Sequence, residues 1–141
     1  METLVRRFAP LLLLLVILAA CAPAAGRPAI PYRATSSEII GAIAQFGPQI
    51  QPGRSYNYFS IETISNDAVT LYAEETTANR IIGAIAGTAS STVRVTVTTF
   101  QAPGSTSVAI STSPAGNDDL YELFVRELDR RFERAPVGFL L

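Results

Sequence analysis

Three places in the chain carry side chains able to do chemistry: Cys21, the acid pair Glu74-Glu75, and the acid pair Asp118-Asp119. A thiol acting as nucleophile needs a base to form its thiolate, and the 141 residues include no histidine and no lysine. A lone cysteine also makes neither an intramolecular disulfide nor a cysteine-rich zinc site. Paired carboxylates hydrolyse glycosides when they face each other across a cleft. Adjacent residues on a strand point to opposite sides, and Asp118-Asp119 is better explained as the acidic start of a helix. Metal binding by Glu74, Glu75 or Asp67 would be all-oxygen, and calcium-loop spacing is missing. The serines sit in no Gly-x-Ser-x-Gly elbow. Gly83 and Gly87 lack the lysine and hydroxyl residue of a phosphate-binding loop. The expectation is a protein that is not an enzyme, with no cofactor, no catalytic residue and no metal site.

Charge narrows the partners. Eleven arginines against twelve acids leave a net charge of -1, which gives nucleic acid no electrostatic reason to bind.

Cys21 is read through what precedes it. Arg6 and Arg7 form a basic head, Leu11 to Ala20 an apolar run, and Ala19-Ala20 a small-residue exit. That is the order of an export signal. The run is short of the ~20 residues of a comfortable membrane span, so an uncleaved anchor is the rival reading. The residues Leu18-Ala19-Ala20-Cys21 resemble the lipobox of bacterial lipoproteins. The resemblance implies cleavage before Cys21 and attachment of a diacylglycerol to its thiol, followed by acylation of the new amino group. The expected partition is a signal peptide over 1–20, a tether over 21–34 and a single domain over 35–141. The tether holds Pro23, Pro28 and Pro31, which lack amide donors. The resemblance further implies a lipid-anchored envelope protein. With Ala22 after the cysteine, it would sit on the outer membrane facing the periplasm if the source cell has two membranes. Otherwise it would sit on the outer face of the cytoplasmic membrane.

The domain must then be built from the elements that follow. Thr35 and Glu38 have capping-box spacing, and Ile39, Ile40, Ile43 and Phe46 recur on one helical face before Gly47-Pro48. Ser55 to Ser65 and Ala68 to Glu75 alternate as a strand pair. Facing apolar residues favour a three-residue loop with Ile61 opposite Leu71 and Thr63 opposite Val69. Thr92 to Phe100 and Ser105 to Thr112 form a second hairpin. A four-residue connection, Gln101 to Gly104, would pair Val97 with Val108 and Val95 with Ile110. Asn79 to Gly87 holds Ile81, Ile82 and Ile85 and stays open between a short helix and an irregular strand extension packed on the sheet edge. A last helix starts at Ser113 or Asn117, buries Leu120, Phe124 and Leu128, and pairs Glu122 with Arg126.

This order predicts an α+β fold of two layers: an antiparallel sheet of about four strands with the N- and C-terminal helices on one face. The element order over Thr35 to Arg134 resembles the helix-grip domains of envelope lipoproteins, including accessory proteins of outer-membrane barrel assembly. The expected function is a membrane-anchored interaction or assembly module that holds another envelope protein. The alternative is a carrier of a small hydrophobic ligand or lipid in a cavity between helix and sheet. Tyr56, Tyr58, Arg94 and Phe100 are the candidate interaction face, against the plainer role of core or edge packing.

Overall fold

The computed structural model describes residues 27–137. The export leader, Cys21 and the stretch Gly138 to Leu141 lie outside the described residues.

Two helices form where capping and apolar spacing agree. In α1, Ser36–Phe46, the Thr35 hydroxyl accepts from the Glu38 amide at 3.2 Å, while Glu38 Oε2 accepts from the Thr35 amide at 2.8 Å. Its buried face is Ile39, Ile40, Ile43 and Phe46, followed by a 3-10 turn over Gly47–Gln49. A Cβ on Gly47 would lie 2.6 Å from Leu71 Cδ1, so a glycine here lets the helix end rest on the sheet. The C-terminal helix, Asp118–Arg131, is capped by Asn117, which accepts from the Leu120 amide at 3.1 Å. Asp118 and Asp119 occupy its first turn and Arg130 and Arg131 its last, each sign at the favourable end of the helix dipole.

Five strands make one antiparallel sheet: β1 Ile30–Tyr32, β2 Ser60–Ile64, β3 Ala68–Glu74, β4 Thr92–Ala102 and β5 Ser105–Ser113, in the order β1-β5-β4-β3-β2. α1 packs over β3 and β4, and the C-terminal helix over β5. Val69, Leu71, Ala73, Val93, Val95, Val97 and Val108 join the helices in one core. The ring of Phe124 lies at its centre, 5.6 Å from Phe46 and 6.0 Å from Phe59. The other sheet face carries threonines, serines and Arg94. The fold is therefore the expected α+β arrangement.

The extra strand comes from the stretch read as tether. Ile30–Tyr32 pairs with β5, and Tyr32 is fully buried. Pro31 does not break this ladder because its backbone faces away from β5: its carbonyl accepts from the Ala135 amide at 2.9 Å, on the outer side. The folded unit thus begins before residue 34.

Both hairpin registers differ from expectation for local reasons. In the first, Ser65 and Ala68 flank a two-residue turn, and Ile64 faces Val69. A bulge between Ile61 and Thr63 then restores Ile61 opposite Leu71, while Thr63 faces Thr70. A tight turn and a matched apolar pair coexist because one extra residue absorbs the slip. β2 itself starts only at Ser60, since Phe59 turns into the core and its amide bonds to the Ile50 carbonyl. In the second hairpin, Pro103-Gly104 alone makes the turn, with Gly104 at φ 78°, as a type II turn requires of its third residue. The strands are longer, and Val97 faces Ile110, Val95 faces Thr112, and Thr99 faces Val108. A two-residue shift keeps every side chain on its expected face. The Glu122–Arg126 pair is replaced: Arg27 reaches Glu122 at 3.5 Å and also bonds to Asp118.

Candidate functional site

The ambiguous isoleucine-rich segment is a helix. α2, Thr77–Ala86, links β3 to β4, and we number the C-terminal helix α3. Thr76 caps α2 by accepting from the Asn79 amide at 3.3 Å. Gly87, at φ 77°, ends it in the left-handed conformation that a glycine reaches without a steric cost. The Thr88 amide and hydroxyl then both bond back to the Gly83 carbonyl, at 2.8 and 3.1 Å. The helix is well made locally, yet none of its residues is buried. Ile81, Ile82 and Ile85 are 57%, 63% and 84% exposed.

The register places α2 with both exits of the described chain. The Glu74–Thr92 end of the sheet carries α2. β5 runs toward that end, and β1 is antiparallel to it, with Ile30 opposite Val108 and Tyr32 opposite Thr106. The chain before Ile30 therefore leads back toward the α2 end. Arg27 docks there on the first turns of α3, over the Tyr121 ring at 4.0 Å. The segment after α3 pairs with β1 in turn, through Arg33 to Glu133 and Ala135 to Pro31, and its continuation toward Val137 runs the same way.

That second exit is held by a polar knot. Buried Tyr32 donates to Asp129 at 2.9 Å, and Arg134 grips both Asp129 oxygens at 2.9 and 2.8 Å. Arg134's hydrogen bonds hold the Asp129 carboxyl below the usual carboxylate range against its partial burial, with Tyr32 adding to the shift. Burial, then the bond to Asp129, pushes the Tyr32 phenol up.

The candidate interaction face does not gather into one surface. Tyr56 is half-buried against the core, and its hydroxyl meets Ser91 at 2.6 Å. Tyr58 is exposed at the α2 end. Arg94 lies on the open sheet face, paired with Glu62 at 3.1 Å. Phe100 is exposed six residues further along β4, about 20 Å away by strand rise. Of the acid pairs, Glu74 lies 3.9 Å from Arg80, Glu75 accepts from Ser91 at 2.8 Å, and Asp118 meets Arg27.

The two edges of the sheet also differ. The β1 edge is covered by residues 133–135. β2, at the other edge, is exposed along its whole length. The bulge sets Ile61 and Ile64 opposite Leu71 and Val69, so both turn to the core face, and both stand exposed there.

Sequence reading missed that the α2 isoleucines stay uncovered. One signal was present. The hexapeptide Ile-Ile-Gly-Ala-Ile-Ala stands at both 39–44 and 81–86, and the isoleucines of the first copy alone are buried. Comparison with known protein families, curated proteins and solved structures finds no match to this chain.

Proposed function

We propose that the chain is a non-catalytic lipoprotein of a bacterial cell envelope, lipidated on Cys21, whose domain holds another envelope protein. The observation that carries the interaction reading is the unequal treatment of the sheet edges. Among the described residues β2 is an edge strand with no neighbour on its outer side, and it carries exposed Ile61 and Ile64, which is what strand addition by a partner uses: main-chain bonds for affinity and flanking side chains for choice. The bulge in β2 bends that edge and works against pairing between copies. The lipid reading rests on the lipobox resemblance at Leu18 to Cys21, and the lone cysteine of the chain supports it.

Two measurements test the two halves separately. Mass spectrometry of the mature chain from a bacterial host should find acylated Cys21 at its N-terminus; an unmodified cysteine overturns the anchor. A photo-crosslinker at Ile64 in cells should capture an envelope protein that one at Ser111, on the open sheet face, does not. Equal capture from both positions, or none, overturns the edge-docking role.

A further inference from the structure

We propose that α2 is a second membrane contact, its isoleucine ridge seated in the interface of the bilayer that holds Cys21. The inference rests on the lipid-anchor reading and adds to it which end of the domain meets the membrane, and through which side chains.

Three observations converge. The first is the ridge. Ile81, Ile82 and Ile85 lie within one helical turn of each other and share a side of α2. Arg80 is the only charged residue in the helix; its guanidinium lies 3.9 Å from Glu74, and at ~100° per residue it projects away from the centre of the ridge. Seating the ridge in lipid therefore buries no charge. A helix of ten residues is about 15 Å long, too short to span a bilayer and suited to lying in its plane.

The second is the length of chain between anchor and domain. Extended back from Ile30, which is level with Val108 and Thr99, Arg27 reaches the level of about Thr96. Five residues, 22–26, lie between Cys21 and Arg27, and the six residue steps extend at most roughly 20 Å. The step from Thr96 to the Thr92 end is ~13 Å. The remaining ~7 Å is less than the ~10–12 Å diameter of a helix, so a helix at that end has its outer face within the interface rather than clear of it. An acylated Cys21 thus draws the α2 end, and not the hairpin tips, onto the membrane.

The third is what else occupies that end. Tyr58 is exposed there, and the amphipathic tyrosine ring favours the membrane–water boundary. A second copy of the chain is a weaker occupant. Three isoleucines offer a few hundred Å² at most, short of the roughly 800 Å² per partner that stable interfaces bury.

The chain contains no tryptophan, so one introduced indole reports one site. Full-length protein carrying Ile85→Trp, or Phe100→Trp near the far end of β4, is purified from a bacterial host and placed in phosphatidylcholine vesicles with or without brominated acyl chains. The expected result is blue-shifted emission from Ile85→Trp that brominated lipid quenches severalfold, and water-like, unquenched emission from Phe100→Trp. The mass of the mature N-terminus is read on the same samples. Acylated Cys21 with water-like Ile85→Trp emission overturns the seating and leaves the anchor standing. Blue-shifted but unquenched emission means that protein covers the ridge, a second copy or the stretch after Val137, and also overturns it. An unmodified Cys21 overturns the anchor itself and the inference with it.

Discussion

Residues 39–44 and 81–86 are the same six amino acids, both helical, and they meet opposite environments. In α1 the isoleucines of Ile-Ile-Gly-Ala-Ile-Ala are 0%, 5% and 0% exposed; in α2 they are 57%, 63% and 84% exposed. Each copy has a threonine cap and each is followed by a β-hairpin. The difference is set by what lies around them. Before α1, β1 turns the chain onto the covered face of the sheet, where Thr106 bonds to the Ala34 carbonyl at 2.6 Å and Ser36 to Thr99 at 2.8 Å. Beyond it, Gly47 lets the helix end touch Leu71. α2 connects two neighbouring strands at the sheet end, and among the described residues no such contacts draw it onto either face. Identical apolar residues thus build the core in one place and a free surface in the other.

The sharpest break of that contrast is at the centre of the core. Phe124→Ala removes the ring between Phe46 and Phe59, and should cost about 3–5 kcal/mol, a large part of a small domain's stability, in a urea melt. Next comes the matched pair. Ile43→Ala should cost about 2–5 kcal/mol, whereas Ile85→Ala, the same change in the same hexapeptide, should stay within ~0.5 kcal/mol. Comparable losses for the two would mean that α2 packs on the body after all. The caps give a smaller version. Thr35→Ala should lower global stability by about 1 kcal/mol. Thr76→Ala should instead reduce far-UV helix signal and leave the urea midpoint unmoved, because α2 is not part of the cooperative core.

The knot at the second exit supplies the mildest test, read in pH. The Asp129 carboxyl is held below its ordinary value by Arg134. A depressed folded-state pKa gives stability that is present above the unfolded value, near 3.9, and lost as pH falls through the folded one. Melts of wild type should weaken in that acid window, and Asp129→Asn should flatten part of the decline. An unchanged acid limb in the variant would show that this pairing does not couple to folding.

Much of the architecture was legible in the amino-acid order, because it depends on near neighbours in the chain. The Thr35–Glu38 capping box, the valine alternation of β4 and the apolar stripe Leu120, Phe124, Leu128 follow from spacings of two to four residues, while the cap of the last helix stayed open between Ser113 and Asn117. The two-layer class follows from the order of those elements. The registers were legible only in part. Face was decided by alternation, but position along the partner strand was decided by where a bulge and a positive-φ glycine fell.

Sequence by itself therefore determined the two hairpins, the first and last helices, which of their faces are apolar, and the lipobox-like setting of Cys21, and left 79–87 open between helix and strand. Tertiary structure alone decided that Ile30–Tyr32 joins the sheet, since its partners Thr106 to Val108 are more than seventy residues away. It alone decided that Tyr56, Tyr58, Arg94 and Phe100 scatter while Tyr32, Asp129 and Arg134 meet. It decided, too, which copy of one hexapeptide is buried. Helical order is settled within a few residues by caps and backbone hydrogen bonds, but burial requires a surface to be buried against, and only the folded chain shows where that surface is occupied.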